Sequence, residues 1–178
     1  MTSESGRERT SFVGMAVFLG SFAAIYFWFP KMFGKMMSPL LGKLHFWLTF
    51  PPLVVIFMGM LVIGNAGMQR RLYDPSVYET FRALHPWNVA ITHTAWLLLA
   101  GQMFFIYNFF ASLWRGAPAV DNPWQVGTLE WTHASSPPAP HNFDAVPTVL
   151  HGPHEFNHPQ LVDKDWLGQA EPLPGDRK

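Results

Sequence analysis

The sequence contains no cysteine. That absence excludes disulfides, thiolate metal sites and a cysteine nucleophile, and it leaves the redox compartment open. Charge is also scarce. Asp, Glu, Lys and Arg make up 13% of the 178 residues, against about 25% in a soluble domain. No basic stretch is long enough to track a run of phosphates, so nothing points to a nucleic-acid partner. A GxGxxG turn, a phosphate-binding loop and a serine nucleophile elbow are absent as well. What the chain has instead is apolar and aromatic: 49% hydrophobic residues and 16% Phe, Trp and Tyr.

The charge deficit is concentrated in three runs. The first is Thr10–Pro30, between Arg9 and Lys31. As a helix rising about 1.5 Å per residue it spans roughly 30 Å, the thickness of a bilayer's hydrocarbon core. Its apolar residues run all round, which means burial on every side in lipid or among helices. A cleaved signal peptide fits less well, because the run is long and ends in Ile25-Tyr26-Phe27-Trp28-Phe29-Pro30 with no small-residue cleavage site. The second run is Leu44–Gln69, between Lys43 and Arg70. Pro51-Pro52 within it predicts a kink near Thr49 with a partner helix against it. The third is Ala83–Trp114, between Arg82 and Arg115, with a helix expected from near Trp87 to near Trp114. Tyr26, Trp28, Trp47, Trp87 and Trp114 fall near the predicted ends, where aromatic belts belong. A loop over Lys31–Gly42 is expected between the first two helices, and one over Gln69–Pro86 between the next two.

Residues 1–115 carry a balance of +5 and residues 116–178 one of −5, which predicts two parts in different surroundings. Ten of the sixteen prolines lie from Gly116 onward. The stretch Ser135-Ser136-Pro137-Pro138-Ala139-Pro140 reads as extended, polyproline-like chain. Such a tail cannot bury a core of its own and must lie on another surface or stay loose. The expected architecture is therefore an all-α membrane protein. It has a polar N-terminus over 1–9, three transmembrane helices over 10–115 with the second Pro-kinked, and an extended Pro-rich tail over 116–178. Met1-Thr2-Ser3-Glu4-Ser5-Gly6 reads as a genuine polar start. Positive charges flank the helices almost evenly, four on one side and five on the other, and lean weakly to an inside N-terminus.

Few residues are candidates for chemistry. Arg70-Arg71 beside the membrane could bind a lipid phosphate, a carboxylate or a cofactor propionate bidentately, or serve as a snorkelling lipid anchor. His93, inside the third helix, could ligate a haem or relay a proton, or be satisfied by a neighbour's hydroxyl or carbonyl. His45, at the mouth of the second helix, reads as interfacial. Asn88 and Asn108 read as helix-contact polar groups. His151, His154 and His158 could gather zinc or copper, but Gly152, Pro153 and Pro159 argue against the helix that would align them. No metal site is assigned. Met32, Met36, Met37, Met58, Met60 and Met68 read as packing.

Several segments, in order, resemble the C-terminal part of haem–copper (cytochrome c) oxidase subunit I. Tyr26-Phe27-Trp28-Phe29-Pro30-Lys31-Met32-Phe33-Gly34 is similar to the end of that family's tenth helix. Leu41-Gly42-Lys43-Leu44-His45-Phe46-Trp47-Leu48-Thr49-Phe50 is similar to the start of the eleventh. Gly67-Met68-Gln69-Arg70-Arg71, followed by Tyr73-Asp74, resembles the Gly-Met-Pro-Arg-Arg loop, with Gln69 in place of the proline. Trp87-Asn88 resembles the opening of the twelfth helix. Asp121-Asn122-Pro123-Trp124, Thr128-Leu129-Glu130-Trp131, Ser136-Pro137-Pro138 and His141-Asn142-Phe143 resemble the tail. The resemblance covers about residues 12–150.

The resemblance implies that Arg70 and Arg71 meet haem propionates, if a haem-bearing chain lies beside them. It implies an outer N-terminus and a cytoplasmic tail, against the weak charge count. It also exposes a departure. Counted back without a gap from Trp28-Phe29-Pro30, the family's haem-ligating His-Phe-His falls at Glu8 and Thr10. His45 and His93 match no family haem ligand, and the copper ligands belong to earlier helices of the family. The expectation is a membrane subunit, in a bacterial inner membrane or an equivalent respiratory membrane, that does not reduce oxygen alone. It binds no cofactor alone; haems and copper belong to a partner. It would complete or pack against a haem-bearing subunit I, among other respiratory subunits and membrane lipid. The alternative is a haem-free scaffold linking an oxidase to another respiratory complex. A small transporter or channel fits worse, because the helices hold almost no acidic residues.

Overall fold

A computed structural model describes residues 4–69, 72–140, 143, 146–155 and 166–171. Its elements are α1 (Glu4–Phe33), β1 (Lys35–Met36), α2 (Pro39–Asn65), two short 3-10 turns (Pro75–Val77 and Glu79–Leu84), α3 (His85–Arg115), β2 (Ala117–Pro118) and α4 (Leu129–Thr132). Among the described residues three stretches are long and apolar enough to cross a membrane: Val13–Phe33, Pro39–Asn65 and Glu79–Arg115. The chain is an integral membrane protein of three such helices.

The helix limits depart from the charge-free runs, and each departure has a local cause. α2 begins at Pro39, ahead of the run that opens at Leu44, because Ser38 supplies an extended N-cap residue and Pro39 sits where its missing N–H costs nothing. Lys43 is then inside the helix, where its long stem can lie along apolar surface. α2 ends at Asn65 rather than Gln69. Gly67 adopts φ +89°, and the Gly67 and Met68 amides donate to the Gly64 and Ile63 carbonyls at 3.0 and 3.2 Å. That is the two-bond pattern closing a helix on a left-handed glycine. α1 starts at Glu4 and runs to Phe33, so polar residues expected outside the helix belong to it. α3 matches the expectation within two residues at each end.

The chain divides into two compact units, Met1–Ala24 with Ser38–Ala111, and Ile25–Met37 with Ser112–Lys178. In the first, α2 and α3 meet at small residues. A Cβ on Gly101 would stand 3.0 Å from the Leu48 carbonyl oxygen, and one on Gly59 would stand 2.8 Å from Ile91 Cγ1. Pro51 and Pro52 lie inside α2. Pro52 has no N–H to give the Leu48 carbonyl, and the bare backbone of Gly101 packs directly on that oxygen. One residue on, Gln102 Nε2 donates to Thr49 Oγ1 at 3.0 Å. α3 therefore lies against α2 at Leu48 and Thr49, one turn before the proline pair.

In the second unit β1 and β2 pair antiparallel, with Lys35 opposite Pro118 and Met36 opposite Ala117. Part of the expected first loop is thus a short ladder. Phe29, Trp131 and Leu167 are fully buried there. The Phe27 ring lies 5.2 Å from Trp131 and 5.8 Å from Trp124, so the core is shared between the tail and the last turns of α1. Gln169 stitches the tail together. Its backbone N–H donates to Gly127 O, its side-chain carbonyl accepts from Leu129 N, and its backbone carbonyl accepts from Leu150 N and His151 N.

Candidate functional site

Arg70 and Arg71 lie outside the described residues, as do His141, Asn142 and His158. On the chain around the arginine pair, Gly67 closes α2 before it and Asp74 opens the first 3-10 turn after it. Asp74 Oδ1 accepts from Ser76 N–H at 2.8 Å and Ser76 O–H at 2.6 Å. Those two donations hold the Asp74 carboxyl below the usual carboxylate range.

His93 is exposed on α3. It lines a cavity of about 290 Å³ with Asp74, Ser76, His85, Asn88 and Thr92. That volume is at the small end of ligand pockets, which run from about 300 to 1,000 Å³. His45 is buried among helices rather than standing open at the helix mouth. It is 3% exposed, with its ring 4.8 Å from Phe22 and 5.1 Å from Phe105. The early start of α2 places His45 inside the helix rather than at its mouth, on the face that meets α1 and α3. Closed in by two phenyl rings, it offers no open side for a flat macrocycle.

Asn108 is a helix-contact residue of a specific kind. It is 1% exposed. Its Nδ2 donates to Ser38 O at 3.1 Å and its Oδ1 accepts from Ser38 N–H at 3.0 Å. A side chain of α3 thereby caps the start of α2, whose own N-cap residue Ser38 makes no side-chain capping bond. Asn88 Nδ2 points at Met68 Sδ, 3.6 Å away.

The site that sequence reading missed is Lys31, counted above only as a flanking charge. It is 7% exposed. Its ammonium donates to Ala134 O at 2.9 Å and Ser135 O at 3.2 Å and lies 4.5 Å from the Trp131 ring centre. Beside it, Trp28 Nε1 donates to Glu130 Oε1 at 2.6 Å. The cluster ties the end of α1 to α4 and the turn after it. The only advance signal was Glu130-Trp131 in the tail, an acid and an aromatic of the kind a cation and an indole seek.

In the tail, His151 Nδ1 lies 3.4 Å from Glu155 Oε2, and Glu155 Oε1 accepts from Gly152 N–H. His154-Glu155-Phe156-Asn157-His158 also spells the HExxH pattern, which reading the tail as spaced histidines overlooked. That pattern works when a helix sets both imidazoles on one face. His154 lies in a turn, not a helix, and residues 156–158 are outside the described residues. Among the described residues no group of three His, Asp or Glu side chains is placed to hold a metal ion.

Comparison with known proteins gives the family. The family described as Cytochrome C and Quinol oxidase polypeptide I matches residues 11–97. Cytochrome c oxidase subunit 1 of Synechocystis sp. is 42% identical over 150 residues, covering 84% of this chain and 25% of that protein. Alternative cytochrome c oxidase subunit 1 of Bradyrhizobium diazoefficiens is 34% identical over 164 residues, covering 91% of this chain and 28% of that protein. Cytochrome c oxidase subunit 1 of Corynebacterium glutamicum is 41% identical over 183 residues, covering 92% and 30%. The chain thus spans about a quarter to a third of the length of the curated relatives it matches. With three membrane-crossing helices and these matches, the chain belongs to the haem–copper oxidase subunit I family and corresponds to its C-terminal part.

Proposed function

We propose that this chain works inside a respiratory cytochrome c oxidase complex, packing against or completing the haem-bearing part of subunit I, and that it does not reduce oxygen alone. The observation that carries the reading is the family match combined with what stands at the haem-ligand positions. By the ungapped count these are Glu8 and Thr10, and neither side chain replaces a neutral imidazole on haem iron. The other membrane histidines do not make up the loss. His45 is enclosed by Phe22 and Phe105, and His93 matches no haem ligand of the family. Neither of these two described histidines is assigned to a haem iron in this reading.

In this reading Arg70 and Arg71 hydrogen-bond propionates of haems held by the partner, compensating their charge. The haems and the copper belong to that partner. Other oxidase or respiratory subunits and membrane lipid complete the surroundings. The membrane is a bacterial inner membrane or an equivalent respiratory one, with the N-terminus outside and the tail on the cytoplasmic side.

The test is purification of the chain from its native membrane in mild detergent, with a reduced-minus-oxidised spectrum and identification of co-purifying chains by mass. A-type haem bands with a chain carrying the missing histidines are expected. Replacing Arg70 and Arg71 by Gln should then move the haem potential. A haem-free preparation with no oxidase chain attached would overturn the proposal in favour of a membrane scaffold.

A further inference from the structure

The cavity beside the start of α3 is used by nothing proposed above. α3 has 31 residues, about 46 Å at about 1.5 Å per residue, and outruns a hydrocarbon core of about 30 Å. Its ends therefore reach the headgroup zones. The cavity runs along the first turns of α3, from His85 to His93, about 12 Å, at one of these ends. Exposed Trp87 lies on the same turns, as expected at that depth. Polar groups open to acyl chains here are costly unless something pairs with them.

The lining carries both kinds of partner. Asp74 is a carboxylate whose Oδ1 is committed to Ser76, while among the described residues its Oδ2 makes no hydrogen bond. The same lining includes His85 and His93, with Asn88 and Thr92 between them along α3. We propose that this cavity binds the headgroup of a membrane phospholipid carrying a primary ammonium. The ammonium pairs with Asp74, the phosphate accepts from the imidazole N–H groups of His85 and His93, and the acyl chains run along α3.

Alternative headgroups fit the lining less well. A net-negative headgroup brings its charge to Asp74, and among the described lining residues no Lys or Arg offsets it. A choline headgroup presents a quaternary nitrogen that cannot donate a hydrogen bond to the carboxylate. The inference needs only a membrane-embedded chain and stands apart from the oxidase reading.

The test is native mass spectrometry of the full chain in mild detergent, with equal amounts of dioleoyl phosphatidylethanolamine, phosphatidylcholine and phosphatidylglycerol. Retention of the ethanolamine lipid should exceed the others about ten-fold, the size of effect one charge-assisted hydrogen bond gives. Asp74→Asn keeps an acceptor for Ser76, and so keeps the turn, but should lower ethanolamine retention to the choline level. His93→Phe should weaken retention of ethanolamine and choline lipids alike, while Lys43→Gln should change neither. Equal retention of the three lipids by the unaltered chain would overturn the proposal. So would an unchanged preference in Asp74→Asn with its helical circular dichroism intact. Displacement of the lipid by an equal concentration of water-soluble phosphoethanolamine would also overturn it, leaving a site for a soluble phosphate compound.

Discussion

At the scale of single residues, Lys31 shows how one charge can organise a segment far away in the sequence. Its ammonium is held by two carbonyls and an indole face. Lys31→Met keeps much of the stem's volume but leaves those carbonyls without their donor. The expected loss is about 1.5–3 kcal/mol, the range for hydrogen bonds to a charged group. It should be read as easier proteolysis of the segment around Ala134, with Lys31→Arg retaining part of the protection. Asp74 gives a second prediction at this scale. Its folded pKa is depressed by the Ser76 donations. The stability it contributes is therefore present above the unfolded value of about 3.9 and is lost as pH falls through the folded value. Amide exchange at Ser76 should accelerate only in that acid range. Ser76→Ala should return the Asp74 titration toward the ordinary carboxylate position, as followed by the infrared carboxyl band.

At the scale of elements, the α2–α3 pair depends on where bulk is missing. Gly101 meets the backbone and Cβ of Leu48, which cannot swing aside, whereas Gly59 meets the side chain of Ile91, which can. Gly101→Leu should therefore force the helices apart, costing about 1–3 kcal/mol or more. Gly59→Ala should cost clearly less, since only a side chain has to give. Unfolding in mixed micelles compares the two directly. The same contact lies one turn before the two prolines of α2. The Leu48 carbonyl that Pro52 cannot serve faces the bare backbone of Gly101, and Thr49 beside it accepts from Gln102.

At the scale of the whole molecule, the family places the chain in the membrane, and the charge distribution gives its ends different characters. With the tail on the cytoplasmic side, protease added to inside-out vesicles should cut within 136–178, and protease added to right-side-out vesicles should not. Immunoblotting against the two termini reads the result. Cleavage from the outer face would reverse the proposed orientation and restore the one favoured by counting flanking charges.

The three membrane-crossing helices were legible in the residues alone, because crossing is a one-dimensional property: enough consecutive apolar residues, each adding its fixed rise along the helix axis, to match the thickness of a bilayer. The sequence also carried the family, since the segments around Trp28-Phe29-Pro30, Gly67-Met68 and Trp87-Asn88 stand in the family's order. The ends of α3 were legible within two residues, whereas those of α2 follow Ser38-Pro39 and Gly67 rather than the flanking charges. The tertiary structure alone decided that His45 is walled in by Phe22 and Phe105, that Asn108 caps a helix to which it does not belong, and that Lys31 is caged. It also brought Asp74 together with His85 and His93. The reason is distance along the chain. Lys31 finds its acceptors 103 and 104 residues away and Asn108 its partner 70 away, and no periodicity within a single helix specifies which remote backbone group will stand opposite a side chain.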